Sequence, residues 1–117
     1  MTDNKYYDES NSEFNDELIK KDVFSSKKPV LLYFFSLTCG PCRVQSSILK
    51  NYMMKHDEDV RLLKINIAGS PELTRYFNIK SIPTILYVKD GEILGRISGI
   101  HDEDALNDLL TSNFSYK

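Results

Sequence analysis

Only two cysteines stand in this chain of 117 residues, and both fall in the stretch Thr38-Cys39-Gly40-Pro41-Cys42. Ahead of them runs Val30-Leu31-Leu32-Tyr33-Phe34-Phe35, apolar and aromatic without polar alternation. A run of this kind, closed off by turn residues such as Pro29, suits a central strand buried on both faces. Behind the cysteines, Val44, Ile48, Leu49, Tyr52 and Met53 recur at three-to-four spacing, which predicts a helix over residues 40–55. The pair therefore sits at a strand-to-helix junction. A lone Cys-x-x-Cys in a chain of βαβ pattern reads as a redox pair.

The remaining elements follow from period and punctuation. Ser12 is placed to cap a first helix carrying Phe14, Leu18, Ile19 and Val23, which ends between residues 25 and 28. Residues 60–67 form the next strand, and the helix between it and the first run makes the two strands parallel neighbours in a right-handed crossover. Ser70 as cap and Pro71 at the first helical position start a short helix with Leu73, Tyr76 and Phe77 facing inward. Strands 84–88 and 92–97 are joined by Asp90-Gly91, a strong hairpin signal. Asp102 then caps a last helix with Ala105, Leu106, Leu109, Leu110 and Phe114 on one face. Residues 1–11 are polar, either disordered or a short edge strand centred on Tyr6-Tyr7, and residues 12–117 make one domain. The order (β)αβαβαββα is that of an α/β fold, a mixed sheet flanked by helices on both faces.

Composition narrows the chemistry by exclusion. A net charge of −2 with 27% charged residues points to neither a nucleic-acid nor a membrane surface. No apolar run approaches the roughly 20 residues that span a bilayer, and residues 1–12 have no secretory pattern. The expectation is a reducing cytoplasm, where a cysteine pair works rather than staples. Zinc normally needs four ligands, and beyond the two cysteines the chain offers only His56 and His101, not at ligand spacing. The sequence His-Asp-Glu-Asp occurs at both histidines, once in a helix-to-strand turn and once at a helix cap, and solvated turns account for both. No metal site is expected.

Four features together resemble the thioredoxin family of bacterial type. They are Cys39-Gly40-Pro41-Cys42 at the junction, Ser81-Ile82-Pro83-Thr84 ahead of the hairpin, Lys64 inside the third strand and Gly99 after the last. The resemblance implies the thioredoxin fold and a thiol–disulfide oxidoreductase that reduces protein disulfides. Cys39, ahead of the helix, reads as the nucleophile favoured by the helix dipole, and Cys42, one turn inside, as the resolving thiol. Gly40 admits a substrate backbone, and Pro41 fits the first turn. The family places Pro83 in cis beside the cysteines, where the backbone of residue 82 pairs with an extended substrate chain. Thr38, Gly40, Pro41, Ile82, Gly99 and Ile100 form the docking rim on this reading, though an exposed Ile100 is also ordinary surface. The implied partners are disulfide-containing proteins and a thioredoxin reductase or another dithiol donor. The chain is expected to be a monomer with no bound cofactor, its redox group being the Cys39–Cys42 disulfide.

Three residues depart from the family pattern. Tyr33 stands where a buried aspartate assists the resolving cysteine and pairs with the strand lysine, so Lys64 loses its expected partner. Thr38 replaces the tryptophan before the first cysteine, and Ser47 replaces a kinking proline. A phenol ionising near pH 10 is a poor general base at neutral pH, which predicts slower resolution by Cys42. The first two departures favour an alternative, a non-catalytic redox-sensing or binding module. Both cysteines, Pro83 and Lys64 favour the enzyme.

Overall fold

The computed structural model describes residues 5–7 and 16–111. The chain runs β1 (Lys5–Tyr7), α1 (Asp16–Phe24), β2 (Val30–Phe35), α2 (Gly40–His56), β3 (Arg61–Asn66), a 3₁₀ turn (Ile67–Gly69), α3 (Pro71–Tyr76), β4 (Thr84–Lys89), β5 (Glu92–Ser98) and α4 (Glu103–Thr111). The five strands form one sheet in the order β1-β3-β2-β4-β5, with β1, β3 and β2 parallel and β4 and β5 antiparallel. Ser12, Phe14 and Phe114, assigned above to helices, lie outside the described residues.

Strand β2 is buried along its whole length because both of its faces are covered. Leu31, Tyr33 and Phe35 pack with Leu49, Tyr52, Met53, Leu106 and Leu109 from α2 and α4. Val30, Leu32 and Phe34 point the other way, to Ile19, Val23, Leu73 and Phe77 from α1 and α3. Alternate residues of one strand thus feed two cores, which is why the run shows no polar alternation. At about 1.5–3 kcal/mol per fully buried large apolar side chain, these two layers dominate the stability of the fold.

Two helix faces differ from the expectation. Val44 is exposed, whereas Cys42, Gln45, Leu49, Tyr52 and Met53 form the buried stripe of α2. At about 100° per residue Val44 lies on the far side of the helix from Cys42, while position 45 falls on the stripe. Tyr76 is exposed as well, edge-on to Phe77 and under the Lys20 ammonium at 3.8 Å. In so short a helix Leu73 and Phe77, four apart, make the inward face, and Tyr76 is left at the surface. Ser70 occupies the cap position of α3 but makes no side-chain cap bond; at φ −140° and ψ 59° its hydroxyl is buried without a partner. Asp102 does cap α4, its Oδ1 accepting the Ala105 N–H at 2.9 Å. The hairpin turn puts Asp90 at φ 53° and Gly91 at φ 80°, the left-handed pair that a tight turn between twisted strands requires.

Candidate active site

The site is built where β2 ends. Ser36 turns the chain, its Oγ accepting the Thr38 N–H at 3.3 Å, and Cys39 follows in an extended conformation as the N-cap of α2. Pro41 lies in the first turn, where a missing N–H leaves no bond unmade. Cys39 and Cys42 are joined in a disulfide, with Cα atoms 5.2 Å apart. Cys39 Sγ also accepts the Cys42 N–H at 3.2 Å, so the sulfur fills the role that a serine or aspartate oxygen has at other helix starts. The two sulfurs differ in access: Cys42 is 2% exposed and belongs to the core on the α2 side, while Cys39 is half-buried at its border. Thr38, Gly40 and Pro41 around them are exposed, and a Cβ built on Gly40 meets nothing within 4 Å.

Behind the pair lies Tyr33. Its hydroxyl donates to the Cys42 carbonyl at 2.9 Å and therefore accepts from Ser46 Oγ, also at 2.9 Å. Burial, opposed in part by the Ser46 bond, raises the phenol above its ordinary value, so it is neutral at physiological pH. Lys64 is the register partner of Tyr33 across β2 and β3. It takes part in none of the ion pairs found among the described residues, and burial foremost, then the Lys50 charge, lower its pKa below the ordinary lysine value. Tyr33, Ser46, Lys50 and Lys64 line a cavity of about 180 Å³ between α2 and β3.

The Ile82–Pro83 bond is cis, and Pro83 is buried directly ahead of β4. Its carbonyl accepts the Gly99 N–H at 2.9 Å, and Gly99 has φ +85°, which accounts for glycine there. Ile82 packs against the same core cluster as Cys39, so the two segments border one region although 43 residues separate them. Ile100 is 48% exposed next to Gly99. Gln45 escaped the reading of the sequence: it is fully buried, and its amide holds the backbone of His101. The sequence carried only a faint signal, a polar residue beside Val44, which becomes telling once the packing of Cys42 and Leu49 sets the buried face.

A bond between two cysteines three positions apart, one at the surface and one in the core, is placed to open by exchange with another disulfide and to close again. The molecule is a thiol–disulfide oxidoreductase. Comparison with known proteins specifies which. The thioredoxin family model matches residues 6–112. A thioredoxin of Mycobacterium tuberculosis is 38% identical over 85 residues, 73% of each chain, and one of Rickettsia bellii is 31% identical over 102 residues, 87% of this chain and 97% of the relative. A bifunctional thioredoxin reductase/thioredoxin of Mycobacterium leprae is 33% identical over 94 residues, 80% of this chain and 20% of that protein. Among solved structures, one from work on thiol resolution in yeast mitochondrial 1-Cys peroxiredoxin superposes with a TM-score of 0.77, covering 90% of this chain and 91% of the other; at 21% identity it speaks for the fold alone.

The chain belongs to the thioredoxin family, of bacterial type, and has the α/β thioredoxin fold. It is a protein-disulfide reductase whose redox group is the Cys39–Cys42 disulfide. Among the described residues no cluster of His, Cys, Asp or Glu is placed to hold a metal ion, and no helix is long and apolar enough to cross a membrane.

Proposed function

We propose that Cys39 attacks the substrate and Cys42 resolves the mixed disulfide. The reduced pair starts with Cys39 as thiolate. Its sulfur attacks one sulfur of the substrate disulfide, forming the Cys39–substrate bond and expelling the other substrate sulfur as a thiolate. Cys42, on losing its proton, then attacks Cys39 Sγ; the Cys39–Cys42 bond forms, the second substrate thiolate leaves, and two electrons have passed to the substrate. The observation that carries this assignment is the asymmetry of the pair: Cys39 Sγ is the more exposed and receives the Cys42 N–H at the positive end of a 17-residue helix.

Tyr33 and Lys64 support the resolving step from behind, Tyr33 by fixing the Cys42 carbonyl and Lys64 by placing a positive charge across the strand. The rim consists of Thr38, Gly40, Pro41, Ile82, Gly99 and Ile100. The open space over Gly40 and the main chain of Ile82, for which no backbone partner is found among the described residues, suit an extended polypeptide laid across the pair. The oxidised pair is returned to the dithiol by a thioredoxin reductase or another dithiol donor, a reading favoured by the relative in which reductase and thioredoxin are one protein. The enzyme works as a cytoplasmic monomer without a bound cofactor, through a domain of residues 12–117 to whose sheet β1 of the polar segment 1–11 adds an edge strand.

Trapping tests the assignment. Cys42→Ser, incubated with a disulfide-containing protein, accumulates a mixed disulfide that dithiothreitol releases, and Cys39→Ser accumulates none. The reverse pattern on non-reducing gels and intact-mass spectra contradicts it.

A further inference from the structure

Gln45 lies one turn beyond Cys42 on the buried face of α2, with no exposed surface. Both ends of its carboxamide go to one residue: Oε1 accepts the His101 N–H at 2.7 Å, and Nε2 donates to the His101 carbonyl at 3.1 Å. The amide thus pairs with a main-chain N–H and C=O as a neighbouring strand would, across 56 positions of sequence. Two residues earlier the same loop is held by a second segment, where the Gly99 N–H donates to the Pro83 carbonyl at 2.9 Å. The His101 ring closes the loop on itself, its Nε2 2.8 Å from the Ser98 carbonyl. Ile100, between the two anchors, is left 48% exposed.

One anchor comes from the cis-proline segment and the other from the helix that carries the redox pair. The place of Ile100 relative to Cys39 is therefore fixed by two rigid elements and not by the loop's own preferences. Buried polar side chains cost stability unless fully paired, and nothing in the local packing of α2 calls for a glutamine where Leu49 and Met53 continue the stripe.

We propose that Gln45 is a positioning residue for substrate docking: by latching His101 to α2 it holds the Gly99–Ile100 loop at a set distance from the Cys39–Cys42 pair. It thereby favours disulfides carried in extended polypeptide over small disulfides, which need no rim. The inference rests on the reading of Gly99 and Ile100 as part of that rim. Gln45 touches no sulfur and takes no part in the exchange itself; its effect falls on KM for polypeptide substrates.

The test compares wild type with Gln45→Met, which keeps the length of the side chain and removes its donor and acceptor. Two substrates are used, insulin and the small disulfide 5,5′-dithiobis(2-nitrobenzoate). With both hydrogen bonds to His101 lost, KM for insulin rises by about fivefold or more while kcat stays within about twofold, and the rate constant for the small disulfide falls by less than about twofold. An unchanged KM for insulin overturns the proposal, and so does a parallel loss on both substrates. A wild-type chain that leaves insulin intact is a failure of the underlying rim, visible without the variant; a working wild type beside an unaffected variant is a failure of the latch alone. Should Gln45→Met not fold, amide exchange in the wild-type protein decides. The latch predicts that the His101 N–H exchanges at least about tenfold more slowly than that of exposed Ile100, and equal exchange overturns it.

Discussion

The ammonium of Lys64 sits half-buried beside Tyr33 with no carboxylate joined to it among the described residues, which makes its charge a cost to the folded state. Its folded pKa lies below the ordinary 10.5. Below the folded value the lysine is charged in both states and the penalty is complete. Between that value and 10.5 the unfolded chain binds more protons than the folded one, so this group's contribution to stability improves as pH rises. Lys64→Met is accordingly more stable than wild type at neutral pH, and the difference shrinks as pH climbs toward 10.5. Urea unfolding of both proteins at a series of pH values checks this, and a difference that stays constant with pH contradicts it. The raised pKa of Tyr33 acts in the opposite sense, giving stability that is present below pH 10 and lost as the buried phenol ionises. That loss is common to both proteins and cancels in the comparison.

Elements are joined at the site by few polar bonds. The Tyr33 hydroxyl ties β2 to α2 through the Cys42 carbonyl and Ser46, each at 2.9 Å. Tyr33→Phe removes both bonds without leaving a cavity and costs about 1–2 kcal/mol in denaturant unfolding; a loss below about 0.3 kcal/mol would show that the hydroxyl holds nothing. The register of α2 shows how far periodicity carries. Its existence and extent were legible, because apolar residues recur at three-to-four spacing from Val44 to Met53. Which face turns inward was not, because Val44 and Gln45 are adjacent and only the packing of Cys42 and Leu49 decides between them. Tyr76 illustrates the same limit in a six-residue helix, where one turn cannot define a stripe. Ser70 shows another: a capping residue type predicts the helix start, but its hydroxyl depends on a backbone conformation set by the preceding 3₁₀ turn.

For the molecule as a whole, the sheet was legible because its strands are marked by what each must do. Strand β2 is apolar throughout because helices cover both of its faces, and Asp90-Gly91 supplies the two left-handed positions between β4 and β5. The redox pair was legible because the chain holds no other cysteine. The latch from Gln45 to His101 was not, since a contact across 56 positions leaves no local trace beyond one polar residue on an apolar stripe. Cys39 and Cys42, with Tyr33 behind them and Thr38 beside them, still transfer electrons to protein disulfides. The direct measurement is dithiothreitol-driven reduction of insulin, followed by precipitation of the free B chain. Wild type accelerates the reaction well above the Cys39→Ser variant, and a wild-type rate no higher than that of Cys39→Ser would overturn the assignment of a disulfide reductase.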